Sequence, residues 1–467
     1  MHPTRAQTYD VVVVGGGSAG VAAAVAAARI GARTLLVEAA GFLGGASTLR
    51  NVLTYCGLYT LGRAPRPAVG GIAQEVLTRL RALGALIGPK RFRGVFVVFD
   101  PEAVKRVLDD IALEAGVDVW LHALVIDAER DGNSIRRVKI QDRSGPRVIE
   151  ARAFVDASGD CDLAYFAGAS TRYGNQGFVN MGTLGARFGG IPREVPVSAA
   201  RWSEAIRAAK AGGVPHLSKE TGLVVRLPIS GDVVAYLIGE EYDARDAASI
   251  GAAEMRGRRQ AWAYLDAIRG VPGHEDAYLV STGPEFGTRE SRHIDAVYQV
   301  TAEDLRTGAR FPDAVALGAW ASEFHDSATL DSSFEKPGRE TYDIPLRALD
   351  EPRCLQPVRR RPDRRRRSDR GSLAAGHGHR VRHRAGSRHC GSAFRRSGRC
   401  RGGRSPPGSR RAGRAARRRK SAGPSRGRSM STRAGLGNPA RASVRNRGPG
   451  GSIVVIRRKS FAASQSR

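Results

Sequence analysis

The first long apolar run of the chain, residues 11–14, is four consecutive valines. An unbroken run of this kind is typical of a strand buried on both faces of a parallel sheet. The small-residue run 21–28 predicts a helix, and the apolar run 32–37 predicts a second strand. The order strand, helix, strand predicts a βαβ unit, and hence an α/β fold, at the start of the chain.

Apolar periodicity predicts further elements along the first 350 residues. In the first part we expect a helix at 72–83, a strand at 95–99, a helix from 101 to about 115, strands at 117–121 and 124–128, a meander of 135–141 and 147–151, and a separate strand at 154–159. Farther on we expect a helix at 200–211, a hairpin of 223–229 with 233–238, a helix at 247–268, and a strand at 342–349 with Pro345 near an edge.

The turn after the valine run carries glycines at G-x-G-x-x-G spacing, namely Gly15, Gly17 and Gly20. In a dinucleotide-binding turn the first glycine makes the turn, the second lets the backbone approach a pyrophosphate, and the third lets helix and strand pack closely. Glu38 ends the next strand, 23 positions after Gly15, where a ribose-binding acid is expected. The alternative is a βαβ unit that binds nothing.

Two more small-residue segments follow the βαβ unit. Residues 41–48 contain Gly44 and Gly45, which would let the chain pass close to a cofactor. The strand at 154–159 ends in an A-S-G turn followed by Asp160, a second signal of the dinucleotide-binding type.

The net charge of +30 is concentrated in the last quarter of the chain. Of the 75 Lys and Arg residues, 35 follow position 350, together with only 3 of the 45 Asp and Glu residues. The first 350 residues therefore hold 40 basic and 42 acidic residues, a net charge of −2. The body is a nearly neutral globular protein, which does not call for a nucleic-acid partner.

The sequence predicts a soluble, cytoplasmic protein without a membrane span. Glycines interrupt the apolar run 11–28, and no cleavage-like site follows it. The cysteines contain no C-x-x-C pair, which argues against a disulfide framework and a typical iron–sulfur site. They are Cys56, Cys161, Cys354, Cys390 and Cys400.

Four charged or polar groups are concentrated at residues 289–293: Arg289, Glu290, Arg292 and His293. They form either a solvated, salt-bridged turn or a site whose cationic donors stabilise negative charge on a flavin edge or an oxyanion. His325 stands alone after an amphipathic stretch, so we expect a structural role for it.

In combination these segments resemble the FAD-dependent oxidoreductases of the glutathione-reductase-like, two-domain flavoprotein group. The matching pieces are 11–20, E-x-x-x-F-L-G-G at 38–45, F-D-P-E at 99–102, V-D-A-S-G-D-C-D-L-A at 155–164, G-T-R-E-S-R at 287–292 and Y-D-I-P-L-R at 342–347. They cover most of residues 8–350.

The resemblance implies that FAD is the cofactor. Its pyrophosphate would lie on the first glycine turn, its adenosine ribose on Glu38 and its adenine against the backbone of Val125. Arg289 and Arg292 would lie near the flavin as candidate catalytic residues. The residues that would contact FAD are Gly15, Gly17, Ser18, Gly20, Glu38, Gly44, Gly45, Val125, Ala157, Ser158, Gly159 and Asp160.

The resemblance also implies the domain organisation. A Rossmann-like FAD-binding domain with a parallel sheet and a β-meander occupies 1–175, and a mixed α+β substrate domain occupies 176–340. Residues 341–354 would form a return strand to the FAD domain, and 355–467 a disordered basic tail. Some relatives carry a 4Fe-4S cluster, but Cys56 and Cys161 do not supply its ligands.

After residue 349 the family continues with a strand of the form N-L-x-x-A-G-R and a closing helix around G-x-A-A-G, and neither occurs here. The Arg-rich composition predicts disorder. In a +1 reading frame, however, the codons for 356–368 can encode N-L-F-A-A-G-R-T-A-D-A-D-R, and those for 376–391 can encode the missing helix. We therefore infer a frameshift near residues 352–355.

Two apparent signals in the tail lose force if its frame is shifted. Histidines at four positions imitate a metal cluster, but shifted codons produce such runs by chance, so we expect no metal site. The tail has one aromatic residue, Phe394, before Phe461, which does not fit a stacking surface for nucleic acid. The four histidines are His377, His379, His383 and His389.

Two functions compete at this point. The first is an FAD-dependent oxidoreductase that acts on a small organic substrate, with hydride transfer as the expected chemistry and a second acceptor that re-oxidises the flavin. The second is an inactive, truncated flavoprotein remnant whose basic tail binds nucleic acid non-specifically.

Overall fold

The computed structural model describes residues 7–175, 178–326, 332–350 and 453–455. Its helices are α1 Ser18–Arg29, α2 Ile72–Ala82, α3 Pro101–Glu114, α4 Asp162–Phe166, α5 Ala199–Ala211, α6 Ala247–Ile268 and α7 Ala302–Thr307. Its strands are β1 Gln7–Val14, β2 Thr34–Val37, β3 Thr54–Cys56, β4 Leu86–Phe92, β5 Gly94–Phe99, β6 Asp118–Trp120, β7 Leu124–Asp131, β8 Ser134–Asp142, β9 Gly145–Asp156, β10 Thr171–Tyr173, β11 Gly182–Gly189, β12 Val224–Arg226, β13 Val233–Glu240, β14 Tyr278–Thr282, β15 Arg292–Ile294, β16 Ala314–Gly318, β17 Ser322–His325, β18 Ser332–Glu335, β19 Tyr342–Pro345 and β20 Ile453–Val455.

The first sheet has the order β6-β2-β1-β9-β8-β7, with β20 also paired to β9. β1 runs parallel to β2 and to β9, and β2 runs parallel to β6. Val12 and Val13 have no exposed surface, because α1, α2 and α3 cover one face and the meander and α4 cover the other. The predicted βαβ unit, parallel sheet and meander are confirmed.

One long strand, β9, replaces the two strands predicted at 147–151 and 154–159. Its first half pairs with β8 in the antiparallel meander, and its second half pairs with β1 in the parallel sheet. The prediction of two strands was wrong because exposed Arg152 interrupts the apolar pattern within a strand whose pairing with β1 is already established from Ile149 onward.

β20 belongs to the segment predicted as a disordered tail. Ile453 to Val455 run parallel to Phe154 to Asp156, along the part of β9 that β8 no longer covers. Consecutive β-branched residues fit an open strand edge, and the predicted disorder of the tail stays a prediction. The rest of the predicted tail, and the histidines at 377–389, lie outside the described residues.

The second sheet has the order β12-β13-β11-β14 and packs against α5 and α6. Its core includes Trp202, Tyr264 and Phe188, all fully buried. The predicted hairpin is present, with Val224 opposite Ala235, and α6 has the predicted bounds. This is the mixed α+β layer that the sequence predicts, and the domain boundary at 175 stays a prediction.

The strand predicted at 342–349 ends early. β19 pairs with β16, and residues 346–348 form a 3₁₀ turn. Pro345 has no N–H group to extend the ladder, and the Leu346 N–H donates to the Asp313 carbonyl at 2.8 Å instead. Assignment of 341–354 to the FAD domain stays a prediction.

Among the described residues, no helix has both the length and the apolar character needed to span a bilayer.

Candidate cofactor and substrate site

The first glycine turn lies at the carboxyl end of β1. Gly15 has φ +97°, and a Cβ there would lie 2.4 Å from the carbonyl oxygen of Ala157. A Cβ on Gly20 would lie 1.8 Å from the carbonyl oxygen of Gly15. Gly17 differs from both, because its φ is −67° and the nearest atom to a Cβ would be Gly45 Cα at 4.0 Å. The fold itself requires Gly15 and Gly20, whereas a Cβ on Gly17 would make only an ordinary contact with Gly45.

Glu38 lies at the end of β2 and organises the backbone around this turn. Its Oε2 accepts from the Gly16 N–H at 2.6 Å and its Oε1 accepts from the Ala40 N–H at 2.7 Å. The structure therefore brings Glu38 beside the glycine turn, as the spacing predicts. These bonds give the carboxylate a second role, that of holding the turn in place.

The segment around Gly44 and Gly45 crosses directly over the glycine turn. The Gly44 N–H donates to the Gly16 carbonyl at 2.8 Å, and Gly17 forms a parallel bridge with Gly44. Ser18, in the first turn of α1, lies within hydrogen-bonding reach of the half-buried Tyr55. The crossing segment therefore lies directly against the N-terminus of α1.

Val125 lies near Glu38 because the chain after β6 passes beside the end of β2. The Glu38 N–H donates to the Trp120 carbonyl at 2.8 Å, and the Ala123 N–H donates to the Glu38 carbonyl at 3.0 Å. Val125 follows two residues later and is buried in β7. The predicted ribose and adenine positions are therefore neighbours.

The second small-residue turn, 157–160, follows β9 and is attached to β1 through the Ala157 N–H, which donates to the Val14 carbonyl at 2.8 Å. Buried Asp156 shapes the turn by accepting from the Ser158 hydroxyl at 2.7 Å and the Ala164 N–H at 2.8 Å. Burial raises the pKa of Asp156. Gly159 completes the turn with φ +87°.

Arg292 braces this second turn. It forms an ion pair with Asp162 at 2.8 Å, and its guanidinium lies over the ring of Tyr165 at 4.3 Å. Burial and the charge of Asp160 raise the pKa of Asp162 to about 6. The Ser291 hydroxyl donates to Asp160. This placement gives Arg292 a positioning contact, and its catalytic role stays a prediction.

The segment 289–293 is not the solvated turn that one alternative predicted. Glu290, Ser291 and His293 are 4%, 5% and 9% exposed. Glu290 binds His293 at 2.8 Å and accepts from the N–H and the amide of Asn180. The solvated interpretation is wrong because Arg289 contacts Thr183 of β11, Arg292 contacts Asp162 of α4, and the residues between and beside them are buried.

Arg289 points into an internal cleft. It donates to Thr183 Oγ1 at 3.0 Å, and burial lowers its pKa. Cys56 and Arg289 both lie deep in the protein, yet Cys56 is exposed and Arg289 is half-buried. Their exposed surface therefore faces a cleft inside the fold. Burial and the charge of Glu323 raise the pKa of Cys56 to about 12, so the thiol is neutral.

The cleft lies where the crossing segment meets the second sheet. The Leu53 N–H donates to the Tyr236 hydroxyl at 2.7 Å, which ties the end of that segment to β13. A Cβ on Gly185 would lie 2.7 Å from the Asn51 carbonyl oxygen, so the sheet packs directly on the backbone there.

Sequence reasoning missed two residues of this region, Lys219 and His325. Lys219 is 8% exposed, and burial together with the charge of Arg289 lowers its pKa to about 8. Burial and the charges of Arg289, Lys219 and Arg93 lower the pKa of His325 to about 2. Nothing in the local sequence marks Lys219, and His325 was expected to be structural.

The arrangement fits FAD in its phosphate region. The glycine turn, the N-terminus of α1, which no side chain caps, and the carboxylate of Glu38 converge at the carboxyl ends of parallel strands, which is where α/β sheets bind dinucleotides. A polar groove of about 740 Å³ beside Tyr9, Arg33 and Arg136 lies at the opposite end of β1 and takes no part in this arrangement. In the described part of the chain, no group of three His, Cys, Asp or Glu residues is placed to hold a metal.

The family profile described as "FAD dependent oxidoreductase" matches residues 10–354. The chain belongs to this family. As an FAD-dependent oxidoreductase it resembles digeranylgeranylglycerophospholipid reductase of Thermoplasma volcanium, with 26% identity over 170 residues, which are 33% of this chain and 40% of that protein. It also resembles a tRNA uridine 5-carboxymethylaminomethyl modification enzyme of Rhodopirellula baltica, with 37% identity over 89 residues, 19% of this chain and 11% of that protein. The matched regions thus span less than half of these relatives.

Two solved structures similar to this oxidoreductase are p-nitrophenol 4-monooxygenase of Pseudomonas putida and a geranylgeranyl bacteriochlorophyll reductase-like protein of Thermoplasma acidophilum. The first has a TM-score of 0.40 and 14% identity, covering 63% of this chain and 70% of that one. The second has a TM-score of 0.38 and 18% identity, covering 64% and 69%.

Proposed function

We propose that this FAD-dependent oxidoreductase transfers hydride between its flavin and a small organic substrate held in the cleft beside Cys56, Tyr236 and Arg289. The observation that carries the proposal is that one short segment of the chain passes both the glycine turn and the cleft. Residues 44–45 cross the glycine turn, and residues 53–56 reach the cleft. A cofactor bound along this segment would extend from Gly17 to the cleft.

The residues have distinct tasks in this proposal. The amides at the start of α1 bind the pyrophosphate, Glu38 the ribose and Val125 the adenine, while Gly44, Gly45 and 157–160 enclose the cofactor. The bound flavin supplies the redox chemistry. Arg289 stabilises negative charge at the cleft, where partial burial strengthens its field. Arg292 acts through Asp162 on the second turn.

The proposal is tested by adding FAD to the purified full-length chain. We expect a yellow protein that quenches flavin fluorescence, because the pyrophosphate and ribose sites are preformed. The control is free FAD mixed with heat-unfolded protein, which should show no quenching. A colourless protein that ignores FAD and instead retards duplex DNA in a strongly salt-dependent way would favour the truncated remnant.

We further propose that the reading frame breaks near residues 352–355. Two independent observations support this: the family match ends at residue 354, and the charge composition changes after residue 350. The missing strand and helix would add contacts to the flavin. A gene restored to the +1 frame should yield protein that binds FAD at least about 10-fold more tightly than the printed chain, equivalent to about 1.4 kcal/mol. Equal affinities in parallel titrations would contradict the frameshift.

A further inference from the structure

Lys219 is a buried lysine whose ammonium has no carboxylate within ion-pair distance among the described residues. Buried lysines are normally paired, since an isolated ammonium pays a desolvation penalty that nothing offsets. Its backbone is held firmly: the Lys219 N–H donates to the Tyr264 hydroxyl at 2.7 Å, and that hydroxyl donates to the Lys219 carbonyl at 2.7 Å. The fold thus holds the backbone of Lys219 in place although burial of its ammonium is unfavourable.

Lys219 and Arg289 converge on the same end of the second sheet. Lys219 Cε lies 3.0 Å from the place a Cβ on Gly239 would occupy, and Gly239 pairs with Thr183 across β13 and β11. Arg289 donates to the side chain of the same Thr183. The charge of Arg289 lowers the pKa of Lys219, because two positive charges in proximity repel each other.

His325 adds a neutral polar atom to the two cations. Its N–H donates to Asn180 Oδ1 at 2.7 Å and its carbonyl accepts from the Met181 N–H at 3.1 Å, next to the start of β11. Its Nε2 is buried and has no hydrogen-bond partner in the described part of the chain. A buried polar atom of this kind is available to a partner beyond the described residues, such as a ligand.

The charge around this group is positive overall. Glu323 is the carboxylate whose field acts on Arg289, and it accepts from Trp320 Nε1 at 3.1 Å. Arg93 adds a further positive charge near His325. The positive charges of Lys219, Arg289 and Arg93 thus exceed the single negative charge of Glu323, so a bound anion would offset part of the unfavourable burial of the Lys219 ammonium.

We propose that Lys219, Arg289 and His325 bind the carboxylate of a small organic acid, so that the substrate of this oxidoreductase is an organic anion. The assignment of this anion as the substrate rests on the proposed function, whereas anion binding itself does not. A carboxylate offers two oxygens in one plane, which suits a guanidinium on one side and an ammonium on the other. The imidazole Nε2 of His325 supplies a third hydrogen bond.

The test is calorimetric titration of the full-length chain with benzoate, with its neutral isostere benzamide and with inorganic phosphate. We expect benzoate to bind at least about 10-fold more tightly than benzamide or phosphate, because benzamide is uncharged and tetrahedral phosphate does not have the planar carboxylate geometry. Lys219→Met should weaken benzoate binding at least about 10-fold. Lys210→Met is the matched control, since Lys210 is exposed on α5 and paired with Glu220, and it should leave binding unchanged.

Three results would overturn the proposal: equal binding of benzoate and benzamide, tighter binding of phosphate, or unchanged benzoate binding in Lys219→Met. The comparison of benzoate with benzamide uses the wild-type chain, so it tests the proposal even if Lys219→Met misfolds. FAD titration of the same samples separates the two proposals. Loss of benzoate binding with FAD binding intact in Lys219→Met supports the anion site. Benzoate binding in a chain that does not bind FAD refutes the proposed function alone.

Discussion

Gly17→Leu should lower the affinity for FAD at least about 100-fold, or about 2.7 kcal/mol, while leaving the apo-protein as stable as the wild type. Gly17 has φ −67°, a conformation that leucine adopts without strain, and a Cβ there meets no atom closer than 4.0 Å. The added side chain would project at the N-terminus of α1, beside Gly45, and would occupy the place proposed for the pyrophosphate. The backbone at position 17 accommodates it without strain, so we expect the apo-protein to stay folded.

Gly15 and Gly20 cannot serve for this experiment, because a Cβ at either position collides with backbone and would unfold the turn. The matched control is Gly251→Leu, on α6, where a Cβ would meet nothing within 4 Å. Flavin fluorescence quenching and thermal unfolding check both variants. Unchanged quenching in Gly17→Leu would refute the cofactor position on which the proposed function depends.

Lys219→Met should make the protein more stable near neutral pH, by about 3 kcal/mol, with an advantage that disappears as the pH rises. The pKa of Lys219 is about 8 in the folded chain, against an ordinary value of 10.5. Between these values the unfolded chain binds more protons than the folded one. Wild-type stability therefore rises with pH through this window, and below about pH 8 the full penalty remains.

Urea unfolding of the wild type and the variant from pH 7 to pH 10.5 measures this difference. Taking the difference cancels the other groups that titrate in the same range, including the buried tyrosines whose pKa burial raises. Lys210→Met again serves as the control, because Lys210 is exposed and should show no such trend. A Lys219→Met protein that is less stable than the wild type at pH 7 would show that the ammonium is structurally paired.

Elements with a strong local signal were predictable from the sequence. Val12 and Val13 of β1 have no exposed surface. The start of α3 follows from Asp100, whose side chain accepts from the Glu102 and Ala103 N–H groups ahead of Pro101. The bounds of α6 agree to the residue. In each case the signal lies within a few positions of the element, so no tertiary information was needed.

The cleft was less predictable because its residues come from separate segments. Arg289 lies in a charged cluster that the sequence singles out, although nothing local distinguishes burial from exposure there. Lys219 stands between two polar residues in a segment typical of the surface, and only the packing of Tyr264 and Gly239 reveals that it is buried. His325 reaches the cluster through a backbone contact with Asn180, which is distant in sequence.

The double pairing of β9 makes a surface hairpin part of the cofactor site. The turn between Asp142 and Gly145 sets the register of β8 against β9, and the same strand carries Ala157 to the glycine turn. Alternate residues of a strand face opposite sides, so a slip of one position at that hairpin would rotate Asp156 out of its bonds to Ser158 and Ala164. An insertion in this remote loop would thus weaken flavin binding, although the loop itself does not contact the proposed cofactor site.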